Sequence, residues 1–143
     1  MKNYERELVL SEGKNTKVLV VDDNKALVSI VQMILESEGY EVRTGDDGEA
    51  GYLISLLFRP DLVITDIQMP EKDGLEMMEQ IRVRSPNVKT IYMSGELDRF
   101  QLLLAEEERR YGVNLLKKPF TKPELTQLVS ETFKGISEWK REL

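Results

Sequence analysis

From Lys17 onward the chain alternates between short apolar runs and longer amphipathic stretches. The short runs are VLVV at 18–21, LVIT at 62–65, KTIYM at 89–93 and VNLL at 113–116, with a weaker EVRT at 41–44 after Gly39. Brief, continuous, β-branched runs of this kind fit strands covered on both faces, as in a parallel sheet. Between them the period changes to that of a helix. In NKALVSIVQMILESEG, at 24–39, the apolar residues Leu27, Ile30, Val31, Ile34 and Leu35 recur at helical spacing and Gly39 supplies a stop. A second helix is predicted over 48–58, ended by Arg59-Pro60, because the residue before a proline is driven out of helical geometry. A third spans 73–84, with Asp73 placed to cap it and Glu76 three residues on. Leu97, Phe100, Leu103 and Leu104 mark the core stripe of a fourth, whose far face is the charged run EEERR with an i,i+4 pair from Glu106 to Arg110. Thr121-Lys122-Pro123-Glu124 opens a fifth with a capping-box pattern, running to about Phe133.

Five strands each followed by a helix predict an α/β fold, a doubly wound (βα)5 parallel sheet, because every crossover must be right-handed. Residues 1–16 are polar and carry the turn formers Ser11, Gly13 and Asn15, so they read as an N-terminal extension; 17–134 is the domain and 135–143 a tail bearing Trp139. With 143 residues, 41% of them hydrophobic, the chain is the size of one domain with its own core. It has no cysteine and no histidine, which excludes disulfides, thiolate metal sites, zincin sites, histidine triads and an internal phosphohistidine. Chemistry is left to carboxylates, hydroxyls, lysines or a bound metal. A net charge of −6 argues against a nucleic-acid surface, and no apolar run has the length of a membrane span. A cytoplasmic location is the expectation.

Open parallel sheets bind ligands at the carboxyl ends of their strands. Here those ends carry Asp22-Asp23, Asp66, Ser94-Gly95 and Lys117-Lys118-Pro119. Singly, each has a bland reading: Asp23 or Asn24 as a helix cap, Ser-Gly as a turn, either lysine as a solvated charge. Together on one rim they form a site. Three carboxylates in one cleft repel one another, raising the pKa of at least one, and a divalent cation removes that penalty. Oxygen-only ligands point to Mg²⁺. Mg²⁺ uses only one or two carboxylates, which leaves another as a nucleophile towards phosphorus. The lysine and hydroxyl then neutralise charge on the phosphoryl oxygens.

The stretches VLVVDDN, PDLVITDIQMPEKDGLE, IYMSG and LLKKPF, in that order between Lys17 and about Phe133, resemble the receiver (response-regulator) domains of two-component phosphorelay signalling, a CheY-like family. The resemblance implies a flavodoxin-like sheet of order 2-1-3-4-5. It implies Asp66 as phosphoacceptor and Asp23 as a direct Mg²⁺ ligand. Asp22 acts through a metal-bound water, and the Gln68 carbonyl completes the protein's ligands. Ser94 stands at the position that hydrogen-bonds the phosphoryl group, and Lys118 is the lysine that pairs with phosphate, its bond to Pro119 expected to be cis. Lys117, off by one residue, should face the other way. The family often has Tyr or Phe three residues before this lysine; here Leu115 takes that place, leaving Tyr92 and Tyr111 as candidates for relaying Ser94's movement. Gln68 and Glu96 lie where the family tunes the lifetime of the phosphoryl group.

The function so implied is an interaction switch charged by a histidine kinase or histidine phosphotransfer domain on a separate protein. Its output is a downstream protein or a fused output domain, and the helix 4–strand 5–helix 5 face is available for a homodimer. It is a signalling domain rather than an enzyme, catalysing only its own phosphorylation and dephosphorylation. Some ten residues after Phe133 are too few for a DNA-binding module, so neither nucleic acid nor membrane is an expected partner. Free-standing, excised and hybrid-kinase contexts stay open. A phosphate-independent scaffold on the same fold is the alternative. An Mg²⁺-dependent phosphatase of the haloacid-dehalogenase kind fits less well, since Asp22-Asp23-Asn24 stands where such enzymes have Asp-x-Asp. A flavin- or nucleotide-binding module lacks its glycine-rich loop after the first strand.

Overall fold

The computed structural model describes residues 16–135. The expected extension and tail, including Trp139, lie outside the described residues apart from Thr16 and Gly135. Five strands, β1 (Lys17–Val21), β2 (Glu41–Gly45), β3 (Leu62–Asp66), β4 (Lys89–Ser94) and β5 (Asn114–Lys117), pair in parallel in the order β2-β1-β3-β4-β5. The helices between and after them are α1 (Lys25–Ser37), α2 (Gly48–Phe58), α3 (Gly74–Arg84), α4 (Gln101–Tyr111) and α5 (Lys122–Phe133), with a 3₁₀ turn (Leu97–Phe100) leading into α4. This is the doubly wound sheet expected from the alternation of periods.

Local chemistry sets the helix ends. Asn24, Asp47, Asp73 and Thr121 each accept a backbone N–H in the first turn of α1, α2, α3 and α5, and Asp73–Glu76 and Thr121–Glu124 form full capping boxes. α2 stops where Arg59 turns left-handed, at φ 51°, ahead of Pro60.

Alternate residues of each strand feed two cores. Val18, Val20, Ile64, Ile91 and Met93 meet Val28, Val31 and Leu35 of α1 and Leu125, Leu128 and Val129 of α5. Leu19, Val21, Val63 and Tyr92 meet Phe58 of α2, Met77, Met78 and Ile81 of α3, and Leu104 of α4.

Three sequence expectations change here. Ile30 is 53% exposed because α1 docks through Val28, Val31 and Leu35, and a neighbouring residue is rotated by about 100°. For the same reason Leu103 is 57% exposed while Leu104 is fully buried; Leu97 and Phe100 are only partly covered. The charged run of α4 is not a wholly solvated face: Glu107 turns inward to Arg82, and the surface pair is Glu106–Arg109 at i,i+3 instead of Glu106–Arg110.

Candidate functional site

The carboxyl ends of β1, β3, β4 and β5 lie side by side, so the residues following them share one rim. Asp22 is buried there. Its Oδ1 accepts the Asn24 N–H (3.0 Å) and its Oδ2 accepts the Lys118 ammonium (2.6 Å). Lys118 also lies 3.3 Å from Asp66 Oδ1, so one cation bridges the two carboxylates. Asp23 is exposed at the mouth. Carboxylate oxygens of Asp22, Asp23 and Asp66 fall within 4.8 Å of one another. Asn24 performs the helix-capping task, which leaves both neighbouring aspartates free of it.

The backbone holds these groups in place. The Lys118 N–H donates to the Ser94 carbonyl (2.9 Å), continuing the β4–β5 ladder past the strand end, and the Lys118-Pro119 bond is cis. Lys117 faces solvent while Lys118 is half-buried, as expected from strand alternation. The loop after β3 is closed by the Gly74 N–H donating to the Ile67 carbonyl (2.8 Å). A Cβ at Gly74 would collide with the Asp66 carbonyl oxygen, so only glycine permits this approach. Gln68 sits exposed on that loop, two residues after Asp66. Ser94 is buried, and its hydroxyl accepts the Glu96 N–H (2.9 Å), aimed at its own loop.

Burial, then the neighbouring Asp22 charge, push the Asp66 carboxyl up to about 6, against the pull of Lys118. Burial is the larger cause, ahead of the repulsion between carboxylates expected from their clustering. Burial works to lower Lys118, but its hydrogen bond and ion pair with Asp22, and the Asp66 charge, hold it above the ordinary lysine value. Such a pocket has surplus negative charge and hard oxygen donors, a donor set that suits Mg²⁺.

Sequence reading missed Lys72. Its ammonium reaches Glu49 of α2 (2.6 Å) and Gln80 of α3 (2.5 Å) and lies 5.0 Å from the Tyr52 ring centroid, tying the loop after β3 to both helices. Nothing in the local pattern distinguishes it from a solvated lysine. The tyrosines diverge: Tyr92 is fully buried beneath α4 whereas Tyr111 is 40% exposed.

Residues 18–130 match the family described as the response regulator receiver domain. The chain is 32% identical over 116 residues to the alkaline phosphatase synthesis transcriptional regulatory protein PhoP of Bacillus subtilis, covering 80% of this chain and 47% of that protein. It thus spans about half the length of that relative. Sporulation initiation phosphotransferase F of the same species is 30% identical over 119 residues, covering 82% of this chain and 93% of that one. Among solved structures, the chemotaxis protein CheY4 of Vibrio cholerae superposes with a TM-score of 0.73 at 27% identity, covering 82% of this chain and 98% of the other.

Proposed function

The chain belongs to the response regulator receiver domain family, and on that premise we propose that it is a phosphorylation switch whose acceptor is Asp66. The observation that carries the reading is the Lys118 ammonium bridging Asp22 and Asp66 at the carboxyl rim of a parallel sheet. With its pKa pushed up to about 6, Asp66 is mostly ionised at neutral pH and so available as a nucleophile. Its Oδ attacks phosphorus as the donor's bond to phosphorus breaks, and an acyl phosphate results. Lys118 balances charge on the incoming phosphoryl oxygens, and Ser94, whose oxygen accepts the Glu96 N–H, has its own O–H to donate to one of them. Asp22, Asp23 and Asp66, with the Gln68 carbonyl, would hold Mg²⁺, which would supply the remaining charge neutralisation.

These 143 residues contain no histidine, so the phosphoryl donor, a histidine kinase or histidine phosphotransfer domain, lies outside them. The output is a protein–protein contact, with a downstream protein or fused output domain. The face formed by α4, β5 and α5 supports that contact or a homodimer, since Leu102 and Leu103 on α4 are 87% and 57% exposed. No described helix is long and apolar enough to cross a membrane, and the acidic balance disfavours nucleic acid. The reading includes a cytoplasmic location and no turnover of an external substrate.

Intact-mass measurement after incubation with acetyl phosphate and Mg²⁺ tests this. One phosphate adduct is expected on the wild type and none on Asp66→Asn. A wild type that takes up no phosphate while binding Mg²⁺ overturns the reading in favour of a phosphate-independent scaffold.

A further inference from the structure

A guanidinium taken out of water must be met by charge and hydrogen-bond acceptors, or the fold loses several kcal/mol. Arg82, on the inner side of α3, is 7% exposed. Its Nη1 donates to Glu107 Oε1 of α4 (2.9 Å), and its Nη2 to Thr90 Oγ1 (3.2 Å) and the Tyr92 hydroxyl (3.4 Å), both on β4. The Tyr92 hydroxyl itself donates to the same Glu107 Oε1. Above the guanidinium lies the Tyr111 ring, its centroid 3.7 Å from Cζ, one helical turn beyond Glu107 on α4. One carboxylate oxygen of α4 is therefore held from two sides, by α3 and by β4.

This matters because α4 has little else to hold it. Leu104 is its single fully buried side chain, and Leu102 and Leu103 face solvent. The charged cluster is thus a large share of what fixes the helix against the body. It is also close to the switch in covalent terms. Tyr92 and Ser94 are two residues apart on β4 and so face the same side of the sheet, and the short segment 95–100 alone separates Ser94 from α4. The Ser94 hydroxyl accepts the Glu96 N–H, so a shift of Ser94 towards a phosphoryl group on Asp66 acts directly on the segment carrying Glu96, which leads straight into α4. Arg82 and Tyr92, in contrast, are anchored in α3 and mid-strand.

We propose that Arg82, Tyr92 and Glu107 form a latch that holds α4 in its resting position, and that opening it favours the phosphorylated arrangement. The proposal rests on Asp66 being the acceptor. A contact made in only one of two states opposes the shift to the other by its own free energy. Weakening the latch therefore strengthens binding of anything that selects the phosphorylated arrangement. Tyr92→Phe removes only the hydroxyl and keeps the ring in the core; Glu107→Gln keeps the shape and removes the charge.

The test titrates the full chain with beryllium trifluoride, a phosphoryl analogue, in the presence of Mg²⁺, by calorimetry. Each variant is expected to bind about fivefold or more tightly than wild type, the lower end of ordinary coupling between sites. Amide hydrogen exchange in α4 of the free chain is expected to speed up, while β1 and β3 keep their protection. If Glu107→Gln fails to fold, Tyr92→Phe carries the test alone. Unchanged or weaker affinity in a folded variant overturns the latch, as does a loss of global stability with no change in affinity. A wild type that binds no beryllium trifluoride overturns the acceptor assignment itself, and the latch with it.

Discussion

Replacing Asp66 by asparagine removes the proposed acceptor, yet the metal-free protein should become more stable. The folded chain holds the Asp66 carboxyl at about 6, while an unfolded chain would leave it near 3.9. The folded state thus binds this proton more tightly, so the group's stabilising contribution is complete below about pH 4 and is lost as pH rises through about 6. At pH 7.5 the loss has an upper limit of about 3 kcal/mol, taking 1.36 kcal/mol per unit. Water at the open rim screens part of this, leaving about 1–2 kcal/mol. Asparagine keeps the shape and an acceptor oxygen for Lys118, which retains its 2.6 Å contact with Asp22. Urea unfolding in EDTA, followed by circular dichroism, is the assay. At pH 7.5 Asp66→Asn should gain about 1–2 kcal/mol, a rise in Tm of about 5 °C. At pH 4, where the wild-type carboxyl is protonated, the difference should vanish. Mg²⁺ should narrow the gap at pH 7.5 by stabilising the wild type more than the variant. A variant less stable than wild type in EDTA at pH 7.5, or an advantage that persists undiminished at pH 4, would refute the argument.

Lys118→Met acts in the opposite direction, because it leaves the buried Asp22 carboxylate without its cation. With the lysine side chain still 23% exposed, the expected cost in EDTA is about 2 kcal/mol, below that of a fully buried pair. Urea midpoints with and without Mg²⁺ check it, and equal stability of variant and wild type in EDTA would contradict the pairing. Gly74→Ala drives a Cβ into the Asp66 carbonyl oxygen at the first residue of α3. A net loss of about 1–3 kcal/mol is expected from the forced shift, together with slower labelling by acetyl phosphate. A folded Gly74→Ala with wild-type midpoint and labelling rate would show the approach to be unimportant.

Much of this protein can be read without coordinates because its determinants are local. A β-branched run such as VLVV at 18–21 makes a strand wherever it is buried, and Asp73 with Glu76 caps α3 by contacts within four residues. Once strands and helices alternate, each helix carries the chain back so that the next strand runs parallel to the last, every strand's carboxyl end falls on one rim, and Asp22, Asp66, Ser94 and Lys118 could be grouped before any distance was known. Docking decided what remained. Whether Ile30 or Val31 faces the core depends on the rotation of α1 against the sheet, which the apolar pattern leaves open by about one residue. Burial, more than the visible clustering of aspartates, raises Asp66, and burial is a property of the packed cleft. Glu107 lies in a run of charges that looks solvated until α4 settles over β4 and brings it to Arg82, 25 residues earlier in the chain. A charge's partner depends on which elements become neighbours, and that is set by the packing of the whole sheet and its helices; the residues on either side of Glu107 carry no trace of it.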